Sequence, residues 1–444
     1  MMLRGVCVLA LLVTGACHQQ PASRVTPEVV RPEGVTYRAG AMSATTAVRV
    51  AYWDALEHLD LERARRAAPD EEHRAFVDAL RLTLDGEMHA AVDGLRHYYR
   101  NAGDSLLRSV ARTMLVSVLT YQEDWPALYE LSLDSTAGVQ AGQSDRAGVL
   151  AWSEAMRQTV APQYPALTRA MSVSLQSSPI GTPMVTVQVN GCSRTFWLDT
   201  GSSTTLVASD VAARCGVTSL IPDTLEMVTA TGRVPAQPAI IDTLRLGKLT
   251  AAQVHAAIVP RDELQLNRML MMGATAPMQI DGVVGFDFLR QFDVELDFQR
   301  LRVIFRRAGS LGSGWHAPRN LFWLGYPVVA LADVNGMPMY FGFDTGADQS
   351  FVTPHLIAKL PSSHRPRERR HIAGFGSDTT ETLPVLNFLH LQAARQHLFF
   401  TGLVVRDQRR LLFMGMDGIL GSDISGVGRV RFDMRSGVFV VGEP

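Results

Sequence analysis

The tripeptide Asp-Thr-Gly occurs twice in this chain, at Asp199-Thr200-Gly201 and at Asp344-Thr345-Gly346, 145 positions apart. A repeated tripeptide means little alone, but here the surroundings repeat with it. Each copy follows an apolar stretch, Phe196-Trp197-Leu198 in one and Phe341-Gly342-Phe343 in the other. Upstream, Gly181-Thr182-Pro183 opens a β-branched run through Val189 that ends at Asn190-Gly191. In the second copy Gly325-Tyr326-Pro327 opens Val328-Val329-Ala330-Leu331 and reaches Asn335-Gly336. Asn-Gly between apolar strands signals a hairpin, because both residues tolerate positive φ. Each Asp-Thr-Gly is therefore expected on the return strand of a hairpin or just past it. Downstream, Ile280-Asp281-Gly282-Val283-Val284-Gly285 matches Met416-Asp417-Gly418-Ile419-Leu420-Gly421, and each half closes on a further alternating hairpin. Such a duplication constrains the fold before any other feature is read.

Two Asp-Thr-Gly strands, each with an apolar-apolar-Gly element behind it, resemble the aspartic proteases. The short units look retroviral in type. Asp344-Thr345-Gly346-Ala347-Asp348 is similar to the retroviral motif, and Asp199-Thr200-Gly201-Ser202-Ser203 lies closer to pepsin. The fold class this implies is multidomain, α and β. An N-terminal all-α helical-hairpin module (45–165) would precede two tandem all-β retropepsin-like lobes (172–307 and 320–444) that form a pseudo-dimer.

The resemblance implies an aspartic endopeptidase in which Asp199 and Asp344 form one dyad. Peptide hydrolysis by water needs a base for the water and an acid for the carbonyl oxygen. Two adjacent carboxyls sharing one proton supply both. Thr200 and Thr345 would tie the two loops together, and Gly201 and Gly346 would let backbone amides approach the carboxylates. Gly285 and Gly421 would let a strand pass beneath each loop. Ser202 follows one motif and Ala347 the other, so a Ser202 hydroxyl donating to Asp199 would favour its ionised form. That predicts Asp199 as base and Asp344 as acid. Flap tips are expected at Thr231-Gly232 and at Gly374-Phe375-Gly376, with ordinary hairpin turns as the plain alternative.

The remaining sequence bounds the setting. With 47% hydrophobic residues, 19% charged residues and a net charge of −1, nothing points to nucleic acid as a partner. Arg365, Arg367, Arg369 and Arg370 read as a solvated face, or as a rim contact for an acidic substrate. No Cys-x-x-Cys or His-Glu-x-x-His motif occurs and the twelve histidines are scattered, so no cofactor or metal is expected.

Residues 1–17 read as a signal peptide. Arg4 precedes the short apolar run from Val6 to Val13, and Thr14-Gly15-Ala16-Cys17 resembles a lipoprotein signal that would be acylated at Cys17. Ordinary cleavage stays open because Thr14 replaces the usual leucine. A linker (18–44) would follow. Export to a periplasm or cell envelope, tethered by lipid, is the implied location, and it would permit a disulfide between Cys192 and Cys215, which the spacing leaves open.

Between 45 and 165 the period becomes helical, with breaks at Asp85-Gly86 and Glu123-Asp124. The pairs resemble tetratricopeptide repeats, although the spacing is longer than that repeat. The module reads equally as a groove for a protein partner or as a spacer. Residues 133–170, rich in Ser, Gly, Gln and Pro, read as a linker. The expected partner of the β-lobes is a peptide or protein substrate. The alternatives are a non-catalytic peptide-binding or scaffold lipoprotein that keeps the fold, and a chain whose helical module is its working part.

Overall fold

In the computed structural model the described residues are 44–134, 143–229, 232–269, 275–311, 318–361, 365–375, 377–393, 396–407 and 415–442. Cys17, the signal segment, Thr231 and Gly376 lie outside them.

The helical region contains α1 (Ala44–Glu57), α2 (Leu61–Arg66), α3 (Glu71–Leu84), α4 (Met88–Asn101), α5 (Ser105–Gln122), α6 (Trp125–Leu133) and α7 (Gln143–Met156). Aspartates begin several of them. Asp70, Asp104 and Asp124 each accept a backbone N–H of the following first turn, which satisfies donors no intrahelical carbonyl can reach. Both expected breaks are present, and each contains a left-handed residue, Gly86 at φ +79° and Glu123 at φ +57°. Helix α7 departs from the expected linker. Val149, Trp152 and Met156 recur at helical spacing and are buried, and that stripe outweighs the polar composition around it.

The β-rich remainder follows the hairpin signals. Pro183–Val189 pairs antiparallel with Cys192–Leu198, and the Asn190-Gly191 turn between them takes φ +47° and +87°. Pro327–Asp333 pairs with Pro338–Phe343 across a longer turn, in which the Asp333 carboxylate accepts from Asn335 N and Met337 N.

The downstream elements then come back under the motifs. Gly282–Val284 runs parallel to the first return strand (Val283↔Trp197, Val284↔Leu198) and antiparallel to Thr205–Ala208. Gly418–Leu420 does the same against Pro338–Phe343 and Phe351–Val352. The two closing hairpins, Phe292–Asp297 with Arg302–Arg307 and Arg429–Asp433 with Val438–Val441, also pair with each other (Val294↔Phe432). No local sequence pattern signals that second pairing, which adds the closing hairpin of the second half to the sheet of the first, while the strands around Asp344 form a sheet of their own.

The helical region is packed against the β-rich part. Glu123 Oε1 accepts from Arg290 Nη2 at 2.8 Å, and its Oε2 lies 2.5 Å from His255 Nδ1. The indole of Trp323 donates to Ser117 O at 3.3 Å and stacks on Phe286 at 5.6 Å.

Candidate active site

Each Asp-Thr-Gly turn begins where its return strand ends, and the parallel strand beneath it fixes the height of the aspartate. Asp199 N donates to Val284 O at 3.1 Å and Asp344 N to Leu420 O at 3.0 Å. Behind each turn the backbone crosses at close range. A Cβ on Gly285 would stand 2.5 Å from the Thr204 carbonyl carbon, and one on Gly421 would stand 2.7 Å from that of Gln349. Only glycine fits either crossing.

The two turns are laced together by reciprocal bonds. Thr200 N donates to Thr345 Oγ1 and Thr345 N to Thr200 Oγ1, both at 3.0 Å. Thr200 Oγ1 donates on to Phe343 O at 2.8 Å and Thr345 Oγ1 to Leu198 O at 2.7 Å. Both threonines are buried, and the amide and hydroxyl of each are used.

The lattice brings the carboxyls together. A Cβ on Gly201 would lie 2.5 Å from Asp344 Cγ, and one on Gly346 would collide with the Asp199 carboxyl. Each acid therefore rests over the glycine of the opposite motif. Gly201 N and Ser202 N donate to Asp199 Oδ1 at 2.8 and 3.2 Å, while Gly346 N and Ala347 N donate to Asp344 Oδ1 at 2.9 and 3.0 Å. Burial pushes both acids above the usual carboxylate range. For Asp199 the Asp344 charge adds to that rise, whereas Tyr326, Ala347 N and Gly346 N oppose it at Asp344. The pair holds one proton more readily than none.

The expected role of Ser202 is corrected here. Its hydroxyl donates to Thr204 O at 2.7 Å, because the turn directs Oγ at that carbonyl, and only its backbone N–H reaches Asp199. The surroundings of the two acids differ instead at Tyr326. Its buried hydroxyl satisfies no hydrogen-bond geometry, yet it faces Asp344 closely enough to favour the charged form of that acid. The corresponding residue in the first half, Thr182, bonds to Ser178. Tyr326 was legible only as a departure within the matched Gly-x-Pro frames.

Two further acids were missed. Asp287 accepts from Thr205 N at 2.9 Å and Thr205 Oγ1 at 3.0 Å, and Asp423 accepts from Ser350 N at 2.9 Å and Ser350 Oγ at 2.5 Å. They brace the segment just after each motif. Burial, with the Glu123 charge behind it, raises Asp287 to about 7. The signal was present as Gly-x-Asp in both frames, Gly285-Phe286-Asp287 and Gly421-Ser422-Asp423.

The hairpin of Leu225–Val228 and Arg233–Leu246 meets that of Arg367–Gly374 and Ser377–Ala393 at its tip. Thr229 Oγ1 donates to Phe375 O at 2.5 Å, and the Phe375 ring lies 6.0 Å from the Trp197 ring. Gly232 and Gly374 flank these tips. Cys192 and Cys215 are free thiols, and burial pushes Cys215 up to about 11. Among the described residues no cluster of three metal-ligating side chains occurs.

Residues 185–288 match a family model described as aspartyl protease, and this region has an aspartic-protease-like fold. The chain is similar to a solved retropepsin-like aspartic protease from Rickettsia conorii, with 16% identity over 33% of this chain and 94% of that one (TM-score 0.22). It is also similar to an aspartic proteinase from Irpex lacteus, with 13% identity over 62% of this chain and 97% of that one (TM-score 0.35). No curated protein matches.

Proposed function

We propose that the chain is an aspartic endopeptidase whose two β-rich halves act as a covalent pseudo-dimer with a single Asp199/Asp344 dyad. The observation that carries this reading is the crossed seating of the acids, each carboxyl over the glycine of the opposite motif. A water held between them would be deprotonated by the charged member while the protonated member donates to the scissile carbonyl oxygen. The resulting tetrahedral diol then collapses as the leaving nitrogen takes up a proton, giving a carboxylic acid and an amine. The backbone amides are matched at the two acids, and Tyr326 alone favours charge on Asp344, which would make Asp344 the base and Asp199 the acid. The paired tips at Thr229 and Phe375 would close over an extended peptide and exclude bulk water.

Cleavage of a mixed peptide library tests the reading. Wild type is expected to cut, and Asp199→Asn and Asp344→Asn to lose at least about 1,000-fold in kcat/KM. Cleavage that survives both substitutions would reject it.

We further propose export with lipid attachment at Cys17, on the sequence pattern alone. Labelling with a radioactive fatty acid should mark wild type and spare Cys17→Ala.

A further inference from the structure

Where the helices meet both β-rich halves there is a cavity of about 430 Å³, walled by Arg290, Arg307, Arg319 and Arg435 with no Asp or Glu in its lining. Arg290 is neutralised by Glu123 at 2.8 Å. Arg307, Arg319 and Arg435 have no ion pair among the described residues. Asp433, two residues before Arg435, instead accepts from Gly309 N at 2.8 Å and Ser436 Oγ at 2.8 Å.

Three like charges around one hollow repel one another and gain nothing from the fold by doing so. Their placement is nevertheless built. The Arg319 guanidinium lies over Gly86, where a Cβ would stand 3.3 Å from Nη1, and over Gly437, where a Cβ would collide with it. It donates to Arg435 O at 3.4 Å. The Arg435 stem crosses Gly309, whose Cβ would come within 3.1 Å. Unneutralised guanidiniums around one hollow are the complement of an oxyanion.

We propose that this cavity binds a small multivalent oxyanion, a phosphate or a polycarboxylate, bridging the helical region and the β-rich part. Arg307, Arg319 and Arg435 would supply both the charge and the directed N–H bonds. Tyr121 and Trp323 in the lining leave room for an apolar body attached to the anion. The site shares no residue with the aspartate loops and does not depend on their proposed chemistry.

The test is thermal denaturation of the full chain against rising sodium pyrophosphate or trisodium citrate, with sodium chloride holding ionic strength constant. A ligand that binds only the folded state raises Tm saturably. The expected result is a saturable rise with at least one of the two anions. The half-saturating concentration should rise about 10-fold or more in Arg319→Gln, and about 3- to 10-fold in Arg435→Gln. A response to pyrophosphate alone assigns a phosphate ligand, and a response to citrate alone a carboxylate one. A rise no greater than with sodium chloride, or the same half-saturation in wild type, Arg307→Gln and Arg435→Gln, would overturn the proposal. The last two variants alter exposed side chains, so they keep the test open if Arg319→Gln misfolds.

Discussion

Asp199 and Asp344 sit in a lattice that gives each carboxyl two backbone N–H donors and still leaves the two acids against each other. The backbone amides are placed, the threonines are cross-bonded, and two acids are left facing each other with raised pKa values. An acid whose folded pKa lies above its unfolded value destabilises the fold increasingly as pH rises from the unfolded value through the folded one. Asp344→Asn should therefore stabilise the protein at pH 7, by roughly 1–3 kcal/mol, and lose that advantage below pH 4. Urea denaturation at the two pH values checks both the sign and the window. Tyr326 supplies a second prediction. Removing its hydroxyl takes away support for the charged form of Asp344, so the acidic limb of the pH–rate profile should move to higher pH in Tyr326→Phe. Ser202→Ala should leave the profile in place, since that hydroxyl is bonded to Thr204 O.

At the level of strands and turns, the downstream glycines are as demanding as the acids. A methyl group on Gly285 meets the Thr204 backbone, which cannot rotate away. Gly285→Ala is expected to cost about 3 kcal/mol through overpacking, read as a drop in the urea midpoint at unchanged slope. Much of this level was legible in the sequence, because matched turns leave short-range signals. Asn190-Gly191 announces its hairpin through two positive φ values, and Gly-x-Asp recurs because an acid is needed behind each motif. What the sequence withheld was long-range. No local pattern shows that Phe292–Asp297 pairs with Arg429–Asp433, or where a serine hydroxyl turns once its loop is built. Helix α7 was misread for a related reason: three buried residues decide it, among many polar ones.

Across the whole molecule, the helices are held to the β-rich part by a buried charged junction. Burial opposes ionisation of Glu123, but His255 and Arg290 outweigh it and hold its pKa below the ordinary value of 4.5. Its contribution is thus fully present above about pH 4.5 and is lost as pH falls through the lower folded value. Glu123→Gln leaves the buried Arg290 without its counter-charge and should destabilise the protein by about 3–5 kcal/mol at pH 7. A spacer free of the β-rich part would show no such coupling. The two halves themselves are joined by the pairing of their closing hairpins and by the threonine lattice, so both acids of a site are expected to come from a single chain. Mixing purified Asp199→Asn with purified Asp344→Asn decides this. The mixture should cleave no peptide that either variant leaves intact, while wild type at equal concentration cleaves. Activity restored on mixing, or retained by one variant alone, would contradict a single-chain dyad.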